Sequence, residues 1–227
     1  MAKGSSFERE ICTQLSLWWT KGERDDVFWR HDSGSRAKGR SRKGKTTFGA
    51  YGDIKASDPI GLPLTDSVTL ELKRGYRQWS FLDCLDHPEK KWNQKERTKQ
   101  PFEKFVEQVV EDAETANTFP VIIAKRDKRQ KIIVLPEELF WLIEEDGVKY
   151  RGFTIKLSTN EYIHRNFIAI SFERFLEWCS PDFFIERIKH YGIQAQKEER
   201  GNKKTEKKKK TTKRHRSRKS ISRKNNP

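Results

Sequence analysis

The chain reads as an α/β or α+β sandwich, a mixed sheet with helices packed against it, and three patterns lead there. Phe7, Ile11, Leu15 and Trp18 recur at spacings of three and four, the mark of an amphipathic helix. Phe102, Phe105, Val106, Val109, Val110 and Ala113 draw a second helical stripe farther on. Short strand-like runs at 68–73, 121–124 and 131–135 fall between and after them, so the order is helix, strands, helix, strands.

Each element has a local reason. Ser5 and Ser6 suit the N-cap of the first helix, and Lys21-Gly22 ends it. Glu8 falls on the side of Cys12 and Leu15, at the edge of the buried stripe rather than on the solvent face. Residues 27–30 form a short strand. Residues 52–57 and 68–73 are expected to pair with each other across a connection carrying Pro59, Gly61 and Pro63. Residues 79–100 read as partly helical, punctuated by Pro88 and Pro101. The charged turn 125–130 joins the strands 121–124 and 131–135. Beyond Pro136 come a helix at 137–144, a strand within 150–157, and apolar stretches at 167–178 and 183–188. The expected organisation is a core at 1–136, a C-terminal elaboration packed on it at 137–196, and a disordered Lys/Arg-rich tail at 197–227.

Composition narrows the partners. The 227 residues suffice for one compact domain with appendages. From Lys197 onward there are 15 Lys or Arg and three Glu, so the tail holds +12 of the formal +15. A body near neutrality with a strongly basic appendage suits a polyanion, most often a nucleic acid. Cys12, Cys84 and Cys179 have no metal-ligand spacing, and His31, His87, His164, His190 and His215 are scattered, so neither a zinc site nor a disulfide framework is supported. No apolar run approaches the ~20 residues of a membrane span. Residues 1–10 lack the apolar stretch of a signal peptide, and a cytoplasmic location without membrane attachment is expected.

The informative segment is Val68-Thr69-Leu70-Glu71-Leu72-Lys73. Side chains alternate along a strand, so Val68, Leu70 and Leu72 share one face while Glu71 and Lys73 project together from the other. Asp53, on the preceding candidate strand, supplies a second carboxylate that antiparallel pairing would bring near Glu71. Magnesium is held by one or two carboxylates with waters and substrate phosphate. Such an ion offsets charge developing on a scissile phosphate, and an ammonium beside it can orient the attacking water. The plain alternative is a cross-strand surface ion pair, which contributes little. Between 31 and 47, Arg36, Lys38, Arg40, Arg42, Lys43 and Lys45 follow one another with no acid among them. This polar, Gly- and Ser-rich segment fits a loop that tracks a phosphate backbone without reading sequence.

Asp53 followed by Glu71-Leu72-Lys73 resembles the PD-(D/E)XK nuclease motif, written here with Gly52 in place of the proline. The opening Lys3-Gly4-Ser5-Ser6-Phe7-Glu8-Arg9-Glu10 is similar to the first helix of the archaeal-type Holliday junction resolvases of that superfamily. Trp29-Arg30-His31-Asp32-Ser33-Gly34-Ser35 is similar to their serine-bearing loop. The likeness spans about residues 3–73 and, more loosely, continues to 135. It implies a restriction-endonuclease-like fold and a metal-dependent endodeoxyribonuclease acting on branched DNA. Asp53 and Glu71 would hold magnesium (manganese being the alternative), with the Leu72 carbonyl in the metal shell. Glu8 would complete the acidic cluster, Lys73 would position the water, and Ser33 and Ser35 would contact DNA beside the basic loop. The resolvase likeness also implies a homodimer.

Several residues carry plainer readings. Ser33-Gly34-Ser35 is ordinarily a turn, and Gln108 is read as facing solvent rather than the site. Lys125 and Arg126 suit a charged hairpin turn, and Trp18, Trp141 and Trp178 suit the core. Two other functions remain open: a DNA-binding protein that keeps the fold without activity, and an RNA-binding protein acting through its basic tail.

Overall fold

A computed structural model describes residues 3–30, 51–75, 79–86, 89, 98–158 and 165–187. The chain forms two compact units, Met1–Phe184 and Ile185–Pro227, and all the elements named below except a terminal helical turn at Phe183–Arg187 lie wholly in the first. Ser33, Ser35, the cations from Arg36 to Lys45, and the tail 197–227 lie outside the described residues.

Helix α1 (Lys3–Trp19) carries Phe7, Ile11, Cys12, Leu15 and Trp19 on its buried side. Strands β1 (Phe28–Arg30) and β2 (Ile54–Ala56) then form an antiparallel pair. A one-turn 3-10 helix (Pro59–Gly61), capped by the Asp58 side chain, runs into the short α2 (Leu62–Thr65). Strand β3 (Val68–Arg74) enters the main sheet, followed by helix α3 (Pro101–Ala116), β4 (Phe119–Lys125) and β5 (Lys131–Pro136). Helix α4 (Glu137–Glu145), strands β6 (Ile155–Ser158) and β7 (Asn166–Ser171), and helix α5 (Phe172–Trp178) complete the order.

The main sheet has the order β3-β4-β5-β7-β6 and is mixed. The β3–β4 pair is parallel, with α3 as its crossover, and the other pairs are antiparallel. This is the mixed, helix-flanked sheet that the sequence predicts. Strands β6 and β7 extend it beyond residue 136. Phe102, Phe105, Val106 and Val109 of α3 pack with Ile122, Ala124, Val134 and Phe167 on one face of the sheet. Leu15, Val68, Leu70, Val121, Ile123 and Phe175 line the other. Helix α3 earns its position locally. Pro101 opens it, Gln100 and Glu103 form a capping box, and Asn117 ends it in the left-handed region at φ 57°.

The expected pairing of 52–57 with 68–73 is corrected. Strand β2 pairs with β1, and among the described residues the backbone bond that ties this segment to β3 is Asp53 N–H to the Leu70 carbonyl at 2.7 Å, from the residue before β2. Trp141 is also not core: it is 47% exposed, at the solvent side of α4. Trp18 and Trp178 are half-buried, and their indole N–H groups donate to the Cys179 and Val148 carbonyls.

Candidate active site

The site is built on the open edge of β3. In a parallel pair, alternate residues turn both backbone groups toward the neighbouring strand, and the residues between turn both away. Leu70 accepts a bond from Asp53 and Leu72 donates one to it, so these two residues face the free edge. The Leu72 N–H is held by Asp53 Oδ2 at 2.7 Å. The Leu72 carbonyl therefore points off the same edge. A loop residue thus satisfies two edge groups of β3, and in doing so its carboxylate is fixed beside the strand.

Gly52 explains how the loop comes so close. Its φ is +78°, a conformation proline cannot adopt because its ring fixes φ near about −65°. A Cβ at this position would lie 2.7 Å from the Leu70 carbonyl oxygen and 3.0 Å from the Leu70 nitrogen. The motif's proline is therefore replaced by the one residue that fits this approach.

Glu71 and Lys73 alternate with the edge residues and turn toward the α3 face. Glu71 is 2% exposed, and its Oε1 accepts bonds from the Lys73 ammonium and from Gln108 Nε2, the latter at 2.6 Å. Gln108 Oε1 in turn accepts from Lys73 Nζ at 3.1 Å. Lys73 also lies 5.3 Å from the centre of the Phe105 ring. The reading of Gln108 as solvent-facing is corrected by these bonds. The signal was present: Gln108 and Asp112 lie three and seven residues after Phe105, on one helix face, and Asp112 is itself buried.

Glu8 stands apart from this triad. It sits on α1, across the sheet edge, with Oε2 3.7 Å from an Arg30 guanidinium nitrogen. It is still close enough that its charge adds to the pressure on Asp53. The Asp53 carboxyl is pushed up to about 7, first by burial, then by the charge of Glu71 and less by that of Glu8. The Leu72 N–H and the Lys73 ammonium oppose that shift. Behind them the Cys12 thiol is pushed up to about 12 by burial and by the same two acids, Glu8 and Asp53, and is inert as a nucleophile.

Among the described residues, no three His, Cys, Asp or Glu side chains are grouped closely enough to hold a metal ion together. Asp53, Glu71 and the Leu72 carbonyl nonetheless carry hard oxygens of the kind magnesium takes. Burial first, and then the charge of Glu71, raise the proton affinity of Asp53, and a divalent cation among these oxygens would offset both.

Lys125 pairs with Glu10 at 3.6 Å, while Arg126 donates to the Trp79 carbonyl at 3.2 Å and lies over that indole ring. Lys125 ends β4 and Arg126 follows it into the turn.

A family model described as "Phage putative PDDEXK endonuclease" matches residues 1–186. No curated protein matches the chain, and no solved structure does.

Proposed function

The chain belongs to the PD-(D/E)XK phage endonuclease family whose model spans its first 186 residues, and from that premise we propose that it is a magnesium-dependent DNA endonuclease acting at branched DNA. The observation that carries the reading is the bonding of Glu71, Lys73 and Gln108 to one another on the α3 face of β3, with Asp53 held on the Leu72 N–H at the open edge of the same strand.

PD-(D/E)XK nucleases generally use divalent metals. Here Asp53, Glu71 and the Leu72 carbonyl would hold the ion, with Glu8 completing the acidic surroundings. When bound, that ion would lower the pKa of water and offset the charge developing on the scissile phosphate. Lys73 would direct the attacking water and help neutralise the transition state. Gln108 keeps the Lys73 ammonium and the Glu71 carboxylate in one arrangement through its two bonds. Ser33, Ser35 and the cations Arg36, Lys38, Arg40, Arg42, Lys43 and Lys45 would hold the phosphate backbone. The basic tail would add affinity that depends on salt rather than sequence. A homodimer presenting two sites to one branched substrate and a cytoplasmic location complete the proposal, together with a division into a 1–136 nuclease core, a 137–196 elaboration and a 197–227 tail.

Labelled four-way junctions and matched linear duplexes, incubated with magnesium or with chelator, test the specialisation. Symmetric, magnesium-dependent nicks in the junction alone support a resolvase. Equal cutting of both DNAs removes the branched-DNA specialisation and leaves the nuclease. Tight binding with no cutting under magnesium or manganese removes the catalytic reading.

A further inference from the structure

The β1–β2 hairpin has a second face that the proposed chemistry does not use. Phe28 and Ile54 are buried on its inner side, whereas Trp29 and Lys55 project from the outer one. The two are register partners in the antiparallel pair, so their side chains stand next to each other.

Trp29 is 48% exposed. The other described tryptophans are occupied. Trp18, Trp19, Trp141 and Trp178 donate their indole N–H groups to the Cys179 carbonyl, the Ile60 carbonyl, Glu137 and the Val148 carbonyl respectively. Trp79 is 3% exposed and stacked on Phe102. Trp29 alone combines an open ring with an indole N–H that has no bond among the described residues. Lys55 likewise has no acid partner among them. A half-exposed indole beside an ammonium with no acid partner among the described residues is a pairing that suits nucleic acid, since the ring offers a stacking surface and the ammonium takes the adjoining phosphate.

Its position relates it to the site. Lys55 is two residues from Asp53, whereas Arg30, which pairs with Glu8, projects from the opposite face of the strand pair to Trp29. In sequence, the same two strands bracket the six cations between Arg36 and Lys45. Two residues of chain span at most about 7 Å, so a phosphate held by Lys55, with its nucleotide on Trp29, would neighbour the one that approaches Asp53. Bases stacked within a duplex present no free face to an indole. Such a platform requires a base that is unpaired or easily unstacked.

We infer that Trp29 and Lys55 form a stacking-and-phosphate subsite for an unpaired or easily unstacked nucleotide near the scissile position, so that the favoured substrate is DNA that carries such a base beside the cut. This rests on the nuclease reading and adds a determinant of substrate choice to it.

The experiment measures dissociation constants with calcium in place of magnesium, for a duplex carrying a short unpaired segment and for the fully paired duplex. Wild-type, Trp29→Ala, Trp29→Phe and Lys55→Met proteins are compared, with circular dichroism as the check on folding. Trp29→Ala is expected to weaken binding of the unpaired substrate about tenfold and of the duplex much less, with Trp29→Phe recovering most of the loss. Lys55→Met is expected to lower the salt-dependence slope by about one. Quenching of tryptophan fluorescence by the unpaired substrate should fall in the Trp29→Phe protein. Equal losses on both substrates, or none, would overturn the subsite while magnesium-dependent cutting by the wild type still upheld the nuclease. Failure of the wild type to bind or cut either DNA would overturn both.

Discussion

Asp53 is the residue at which stability and function pull in opposite directions. Its carboxyl is pushed up to about 7 in the folded chain, by burial and by the charge of Glu71, against about 3.9 for an aspartate in an unfolded chain. The folded state therefore binds a proton that the unfolded state has already lost, and stability declines as pH rises between those two values. Asp53→Asn keeps an oxygen to accept the Leu72 N–H bond and removes the charge. The variant should gain thermal stability over wild type as pH rises toward 7, with the gain constant above that. A gain of about 1 kcal/mol would raise Tm by ~2–4 °C at pH 8. Melting curves from pH 5 to pH 9 check this, and the same variant should lose cleavage. Composition could not reveal such a group. That Glu71 and Lys73 would share one face was legible from their alternation along the strand, whereas Asp53 reaches β3 from a loop and not through the expected strand pairing. That burial raises the proton affinity of Asp53 required the packing around it.

At the scale of elements, helices α1 and α3 and strands β3 to β5 were legible because each carries its own periodicity and end signals. Pro101 and the Gln100–Glu103 capping box, for example, fix the start of α3. The partner of β2 was not legible. Three-residue strands carry too little pattern to choose between neighbours, and a turn at Gly52 with positive φ redirects the chain so that a loop, not a strand, meets β3. Gln108 was misread for a related reason: on an amphipathic helix a polar residue at the margin of the stripe reads as solvent-facing until a buried carboxylate is known to lie opposite. The loop approach makes its own prediction. Gly52→Ala places a Cβ against the Leu70 backbone and must push the segment away from β3. It should cost more than the ~1 kcal/mol of an ordinary glycine replacement. It should also lower kcat by about a hundredfold, because Asp53 moves with it. Asp53→Asn should retain the fold that Gly52→Ala disturbs, so circular dichroism and melting curves separate the two effects.

For the whole molecule, charge is divided as chemistry is. The first 196 residues hold 33 basic and 30 acidic side chains, and the remaining residues add +12. No helix among the described residues is long and apolar enough to cross a membrane. Removing residues 197–227 should leave the rate of cutting at saturating DNA close to that of the full chain, while weakening binding and flattening its dependence on salt. Titrations of both proteins at two or more salt concentrations check this. Loss of all activity on truncation would instead favour a protein that acts through its tail. The central claim, however, concerns hydrolysis at the edge of β3. Its most direct test is single-turnover cutting of end-labelled DNA by the full chain and by Glu71→Gln, with magnesium and with chelator. Glutamine preserves the shape at Glu71 and removes its charge, so the fold is expected to persist. Cutting by the wild type that needs magnesium, and is lost in Glu71→Gln with binding retained, is the predicted result. Undiminished cutting by Glu71→Gln, or cutting that continues under chelator, would contradict it.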